Sequence, residues 1–266
     1  MLQRVDAPAV SEVVPPPHAG LGSPAVGMDR PDRTARIDTA HRSSEPSPGL
    51  LEGLQQPASR GADAVPLAWG EPLPIADRSS ALETLCHQVA ACKRCEVLAQ
   101  RRLHTVFGEG PVAPRACFFG EAPGADEDRE GRPFVGRSGQ LLDKMIAACQ
   151  LQRSEVYILN TLKCRPPDNR TPLPEEIEHC RGYFEQQFEI LQPQFIVCLG
   201  LVALKALFPA ASSVGTMRGR LHPYRGAQVI ATYHPSYLLR QPDAKRAAWS
   251  DLQLLMRALG IPLPNR

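Results

Sequence analysis

GEAPGADEDREGRPFVGRSGQLL, residues 120–142, is the stretch on which the reading of this chain turns. Ahead of it stands Ala116-Cys117-Phe118-Phe119, a short apolar run that reads as a buried strand. Behind it Leu141, Leu142, Met145 and Ile146 recur at helical spacing. The stretch is therefore a long loop between a strand and a helix. It is rich in glycine and in carboxylates, and one aromatic, Phe134, sits in its middle. Loops that leave the carboxyl end of a strand in an open α/β sheet are where such folds bind ligands. A lone aromatic among glycines points to a flat ligand approached closely by backbone. The same composition, taken alone, also fits a Gly/Pro-rich turn with solvated acids.

Outward from that loop, the chain divides by composition. Its 266 residues allow one large domain or two small ones. Residues 1–78 hold 12 of the 27 prolines, a single aromatic (Trp69) and no sustained hydrophobic period. Such a segment cannot bury enough apolar surface to offset its ordering entropy, so residues 1–78 are expected to be a disordered extension and residues 79–266 the folded domain. Charge divides in the same place. The first 78 residues carry 7 Lys+Arg and 10 Asp+Glu, a net of −3, and the remainder 23 and 18, a net of +5. A mildly basic folded part permits a polyanionic partner without requiring one. No apolar run approaches the roughly 20 residues of a membrane helix, and Asp6 and Glu12 interrupt any signal-peptide core. The expectation is a cytoplasmic monomer with no membrane association. Eight cysteines in that setting suggest a metal site plus buried thiols instead of disulfides.

In chain order, Ser79-Ser80 reads as a helix start with Glu83 near the capping-box position, followed by an apolar stripe of Leu82, Leu85, Val89 and Ala90. That helix delivers Cys92-Lys93-Arg94-Cys95. A glycine pattern at Gly108-Glu109-Gly110 precedes the first strand instead of following it, so it is no dinucleotide fingerprint. Val156–Asn160 is the second strand. A Pro-rich loop, RPPDNRTPLP, feeds a helix from Pro174 to Leu191 with proline in its first turn. Phe195–Leu199 is the third strand, followed by a short helix from Leu201 to Phe208. Gln228–Thr232 is the fourth, ending at Tyr233-His234-Pro235-Ser236, and an amphipathic helix from Asp243 to Leu259 closes the chain. Strands alternating with helices imply an α/β/α sandwich: a parallel four-stranded sheet covered on both faces.

The Gly120 loop, Asn160 and His234 then lie at the ends of three strands and converge at the carboxyl edge of one sheet. Singly, an asparagine that caps a turn and a histidine before proline are unremarked surface features. Together at three strand ends they describe a site. The cysteines form a second constellation: Cys92-x2-Cys95, then 68 residues to Cys164, then 15 residues to Cys180. Spacing alone leaves zinc and an iron–sulfur cluster both open. Cys117, Cys149 and Cys198 fall in apolar runs and read as inert core, and Cys86 as a helix residue.

GEAPG, EDxxGxPFVG and SGQLL together resemble, without a gap, the first motif of the family 4 uracil-DNA glycosylases, the iron–sulfur members of the uracil-DNA glycosylase superfamily. His234-Pro-Ser-Tyr-Leu-Leu-Arg resembles the superfamily's second active-site motif. The resemblance covers about residues 80–259. It implies a uracil-DNA glycosylase-like fold and a monofunctional DNA-repair enzyme acting on uracil in single- or double-stranded DNA. It also implies a [4Fe–4S] cluster on Cys92, Cys95, Cys164 and Cys180. Phe134 would stack on the flipped base, Asn160 would read it, and Gly120 and Ala122 would line the pocket. His234 would donate to the leaving base. The superfamily's best-known branch has a water-activating aspartate where this chain has Ala122, so either Glu121 or Glu127 is the general base or the water is held without a strong base, with Glu127 favoured as a functional acid. Leu238 is the expected wedge into the base stack, ahead of Tyr237 and Leu239. Arg240, Lys163 and Arg165 are expected on phosphate, among a wider basic set of Arg129, Arg132, Arg137, Arg170, Arg218, Arg220, Lys245 and Arg246.

Two other readings compete. A non-turnover uracil-DNA binder of the same superfamily would carry an inserted basic loop after the asparagine strand, and RPPDNRTPLPEE is too short to be one. An iron–sulfur module that touches DNA without catalysis would bind a cluster and release no uracil. A P-loop enzyme is excluded by the lack of a GK[ST] sequence.

Overall fold

The computed structural model describes residues 68–264, so the expected disorder of residues 1–67 lies outside the described residues. Five segments pair into one sheet: β1 (Ala116–Gly120), β2 (Val156–Asn160), β3 (Phe195–Leu199), β4 (Leu221–Tyr224) and β5 (Ala227–Thr232), in the order β2-β1-β3-β5-β4. β1, β2, β3 and β5 run parallel, as four nearly continuous apolar runs buried on both faces should. The expected four strands are therefore present, and β4 is an addition. It pairs antiparallel with β5, is only half covered and contains Pro223, which an edge position tolerates. Its short, mixed sequence lacks the apolar run by which the other four announce themselves.

Nine helices surround the sheet among the described residues: α1 (Ile75–Ala90), α2 (Glu96–Arg101), α3 (Ala125–Glu130), α4 (Arg137–Ala148), α5 (Pro174–Leu191), α6 (Leu201–Leu207), α7 (Val214–Met217), α8 (Pro235–Arg240) and α9 (Lys245–Ala258). Alternate strand residues serve opposite layers. Phe119, Leu159, Ile196 and Cys198 join Leu82, Leu85, Phe184, Phe188 and Leu204 on the side of α1, α5 and α6. Phe118, Ile158, Val197 and Ile230 join Leu142, Ile146, Leu252 and Leu255 on the side of α4 and α9. Each such fully buried apolar side chain contributes about 1.5–3 kcal/mol. Cys117, Cys149 and Cys198 are buried in these layers, and burial raises the pKa of each thiol.

Two boundaries differ from the sequence reading. α1 starts at Ile75 behind Pro74, not at Ser79. Ser80 Oγ and Thr84 Oγ1 donate back to the carbonyls of Asp77 and Ser80 at 2.9 Å each, as mid-helix hydroxyls do. Residues 69–78 also pack on the domain. Trp69 meets Tyr224 edge-on with ring centroids 6.2 Å apart, and Gln192 Nε2 donates to the Gly70 carbonyl at 3.0 Å. The buried guanidinium of Arg78 donates to Leu191 O (2.8 Å), Leu73 O (3.1 Å) and Val112 O (3.3 Å), tying α1 to α5 and to the approach to β1.

Arg78→Met leaves those carbonyls without their donor and is expected to cost roughly 2–3 kcal/mol, or about 5–10 °C in Tm for a domain of this size. A chain beginning at residue 79 should likewise melt below one beginning at residue 68. Calorimetry checks both, and an unchanged Tm in Arg78→Met would remove this side chain from the supports of the fold.

Candidate active site

From β1 the chain moves to one side of the sheet to form β2 and returns past β1 to form β3, so the reversal of strand order falls between β1 and β3, beside the carboxyl end of β1. At that crevice the register sets Gly120 beside Asn160. Thr161 N–H and Oγ1–H both donate to the Gly120 carbonyl at 2.9 Å, fixing the two strand ends. A cavity of about 330 Å³ opens there, lined by Glu121, Ala122, Phe134, Asn160, His234 and Arg240 among others. All three expected strand ends therefore meet at one pocket.

Gly120, buried at the end of β1, packs behind the lining residues Asn160 and Phe134. A Cβ at this position would lie 2.6 Å from Phe134 Cζ and would collide with Asn160 Oδ1. The amide and the ring can share one wall only because residue 120 has no side chain. Asn160 is 1% exposed, and its Oδ1 has no hydrogen-bond partner among the described residues. A buried acceptor left unpaired costs free energy, so its presence here marks a place where a ligand donor is expected. Phe134 is buried at a left-handed φ of 52°, a conformation that costs an L-residue on the order of 1–3 kcal/mol. Its ring lies 5.7 Å from the His234 ring.

His234 caps α8. Its Nδ1 accepts from Ser236 N–H at 3.1 Å, with Ser236 Oγ 2.8 Å away, so the ring proton is on Nε2. Burial, aided by Arg240, pulls its pKa down to about 4. The imidazole is thus a neutral Nε2–H donor at physiological pH. Ser236 was quoted in the sequence only as part of a motif; a serine two residues after a histidine and next to a helix-starting proline was the available signal for its capping role.

The two candidate carboxylates part company. Glu127, in α3, accepts from Gly124 N–H with one oxygen and from Val135 and Gly136 N–H with the other, each at 3.0 Å. It lines the cavity as Glu121 does and also braces the Phe134 loop, so both of its oxygens already accept from backbone amides. Glu121 lines the cavity, and burial raises its pKa while Arg240 pulls the other way. Three further residues line the mouth without having been singled out: Ser138, Pro166 and Asn169.

Two DNA-contact expectations fail on burial. Lys163 is 1% exposed and donates from Nζ to Asn160 O (2.9 Å) and Phe107 O (3.1 Å); it cannot reach phosphate. Leu238 is 1% exposed and packs in the α4–α9 layer, whereas Tyr237 and Leu239 are 39% and 38% exposed. In a helix of six residues, one position decides which leucine faces in. The wider basic set also narrows. Arg129, Arg132, Arg170 and Arg218 are paired with Asp126, Glu109, Glu176 and Asp251. Arg240 remains at the cavity, and Arg165 donates to Asn169 Oδ1 at 2.8 Å.

The four cysteines approach one another. Cys164 and Cys180 pack with Leu98 and Leu162, and Cys95 lies against them. Burial, and then the fields of Cys180, Cys164 and Cys92, push the Cys95 thiol up to about 12, and Cys180 rises to about 11. Arg102 donates to Cys164 Sγ at 3.0 Å, and His179 Nδ1 lies 3.3 Å from Cys95 Sγ. All four are free thiols, and no group of three ligating side chains among the described residues is arranged to hold a single metal ion.

The family model described as the uracil DNA glycosylase superfamily matches residues 107–253, which contain every residue of the pocket. A type-4 uracil-DNA glycosylase of Thermotoga maritima is 43% identical over 181 residues, covering 66% of this chain and 93% of that protein. Another, of Archaeoglobus fulgidus, is 36% identical over 192 residues, covering 69% and 96%. A third, of Pyrobaculum aerophilum, is 41% identical over 181 residues, covering 65% and 92%. The chain belongs to the uracil DNA glycosylase superfamily, and within it to the type-4 uracil-DNA glycosylases.

The assignment of His234 has a spectroscopic consequence. Nitrogen-detected NMR should find its Nε2–H tautomer at pH 7 and a titration near pH 4; a midpoint near the ordinary histidine value would contradict the enclosed, Ser236-bonded ring. Gly120→Ala would press a methyl against Asn160 Oδ1 and the Phe134 ring, and by displacing both it should lower uracil excision by at least about 100-fold, the scale on which small misplacements at reacting centres act. Thermal melts beside single-turnover assays separate that displacement from a loss of fold.

Proposed function

We propose that this chain hydrolyses the N-glycosidic bond of deoxyuridine in DNA, releasing uracil and leaving an abasic site, with Asn160 reading the base, His234 stabilising the leaving group and Glu121 serving the water. The observation that carries this reading is the buried, unpartnered Oδ1 of Asn160 beside Gly120 and the Phe134 ring. A base inside a duplex must first be extruded into the pocket. Stacking on Phe134 then contributes on the order of 1–3 kcal/mol. Asn160 Oδ1 accepts from uracil N3–H and its amide N–H donates to O4. Cytosine sets acceptor against acceptor and donor against donor, at roughly 1–3 kcal/mol for each unpaired buried group.

As the glycosidic bond breaks, electrons move onto the uracil ring and charge grows on O2. Nε2–H of neutral His234 donates there, and its benefit is largest in the transition state. The sugar develops oxocarbenium character, which the Glu121 carboxylate stabilises by charge while it takes a proton from the attacking water. Glu121 fits this work better than Glu127, whose oxygens are already occupied by three backbone amides. With Leu238 in the core, exposed Tyr237 and Leu239 are the side chains available to fill the vacated stack. Arg137, Arg165, Arg220, Arg240, Lys245 and Arg246 have no carboxylate partner among the described residues and are the cations left for phosphate.

Cys92, Cys95, Cys164 and Cys180 suit a [4Fe–4S] cluster. Burial, and then the neighbouring cysteines, push up the thiols of Cys95, Cys164 and Cys180, so these groups resist becoming thiolates together until a cationic group joins them. When bound, the cluster would supply thiolate–iron bonds that tie the α1–α2 connection to the segment after Asn160.

Asn160→Asp should lose most uracil excision and gain slow cytosine excision, since a carboxyl group can accept from the exocyclic amine and, protonated, donate to N3. Release of free base from matched uracil and cytosine oligonucleotides measures both; undiminished uracil release would place the reader elsewhere. The pH profile gives a second check. Glu121 is the base only when ionised, and its pKa is raised, so single-turnover rate should fall with decreasing pH through a midpoint above the ordinary glutamate value of 4.5. His234 adds no limb between pH 5 and 8, since it gains its proton only near pH 4. Glu121→Gln should be slow and should lack that limb, and persistence of the limb in the variant would assign it to another group.

A further inference from the structure

Resting on the reading of Phe134 as the stacking partner of the flipped base, the geometry points to Arg153 as a positioning residue that sets the height of the Phe134 ring from outside the pocket. Arg153 lies in the 3₁₀ turn Arg153–Glu155, immediately before β2, and does not line the cavity. Its guanidinium reaches the two carbonyls on which the Phe134 conformation depends. Nη2 donates to Pro133 O at 2.6 Å and Nη1 to Phe134 O at 3.3 Å. The same group is held in turn by carboxylates: Nε donates to Glu109 Oε1 at 2.8 Å and Nη1 to Asp143 Oδ1 at 2.6 Å. Glu109 is itself fixed, because its backbone exchanges hydrogen bonds with Ile158 of β2 at 2.8 and 2.9 Å, and its other oxygen takes Arg132 Nε at 2.9 Å. Arg132 precedes Pro133 in the chain, so one carboxylate holds both arginines against the loop.

The loop needs such a clamp. Phe134 sits at φ 52°, which an L-residue leaves unless it is held. On the amide side Glu127 takes Val135 and Gly136 N–H. On the carbonyl side Gly139 presses against Phe134 O so closely that a Cβ there would overlap it, and Arg153 supplies the hydrogen bonds. Only a planar, many-donor cation can bond two successive carbonyls and two carboxylates at once; an ammonium cannot span them. Arg153 touches no substrate in this arrangement. It acts through the ring of Phe134.

A double-mutant cycle tests this. Arg153→Met, Phe134→Ala and the double variant are compared with the wild type in single-turnover excision at saturating uracil-containing oligonucleotide. Arg153→Met should slow the wild type by about 10-fold to 100-fold and slow the Phe134→Ala background by less than about threefold. It should raise the inhibition constant of free uracil and leave affinity for undamaged DNA unchanged. Arg153→Lys should show the same coupling at smaller size, and it serves if Arg153→Met does not fold. A rate unaffected by Arg153→Met, or slowed equally in both backgrounds, overturns the clamp. If Phe134→Ala alone leaves excision intact, the stacking role fails and the clamp falls with it, an outcome that the cycle distinguishes from failure of the clamp alone.

Discussion

The pairing of Gly120 with Asn160 across β1 and β2 is the constraint on which the site depends. Residue 120 ends a strand that is apolar and buried on both faces, yet it carries no side chain. Its missing Cβ leaves the space in which the Asn160 amide and the Phe134 ring meet. Slipping the pairing by one residue would point the amide at the opposite face of the sheet. The apolar layers on either side prevent that slip, because Phe118 and Phe119, both fully buried, would have to exchange layers. Core packing and the placement of the Asn160 acceptor are thus one requirement: the hydrophobic pattern that folds the sheet also fixes where that unpartnered oxygen stands.

The same enclosure sets the protonation states. Burial disfavours charge, so it lowers the pKa of His234 and raises that of Glu121, and Arg240 pulls both down. A histidine kept neutral, with its proton on Nε2 because Ser236 N–H bonds Nδ1, is a donor that does not need to be deprotonated to reset after each turnover. A carboxylate whose pKa is raised by burial holds a proton more readily than a solvated one. Neither shift needs a dedicated partner; both follow from placing the groups at the mouth of a switch-point crevice with one cation nearby.

The sheet and the three convergent strand ends were legible in the sequence because their signals are collective: four apolar runs, each followed by glycine or polar residues. β4 was not, since an edge strand with Pro223 has no such run. The misassigned side chains share a different cause. Leu238 and Leu239 are adjacent on a six-residue helix, and no periodicity resolves which faces inward over so few positions. Lys163 follows Asn160 in a loop that looks exposed, but its chain turns back under β2 and puts Nζ on two buried carbonyls. Glu127 draws notice as a nearby acid because Ala122 stands where the superfamily's best-known branch has an aspartate, and its bonds to backbone amides carry no signal in the resemblance. Its loop contains α3, and at the start of a helix a glutamate three residues in caps the backbone.

An acid-rich loop beside a polyanion presents an apparent electrostatic conflict, and the contacts of its carboxylates resolve it. Asp126 pairs with Arg129, which also lies 3.7 Å from Glu130. Glu127 binds three backbone amides. Asp128, 3% exposed, accepts from Leu103 N–H at 3.0 Å and His104 N–H at 3.4 Å. Glu127 and Asp128 therefore spend their charge on backbone amides, which helps hold the segment that carries Phe134, while Asp126 and Glu130 meet an exposed arginine and Glu121 lines the cavity. Four of the cations without a carboxylate partner among the described residues sit at helix ends, with Arg137 opening α4, Arg240 closing α8, and Lys245 and Arg246 opening α9. α4 and α9 cover one face of the sheet and α8 packs against α4, so these charges fall on one side of the cavity. The charge of the acid-rich loop is thus largely met within the protein, and what the loop presents is held backbone.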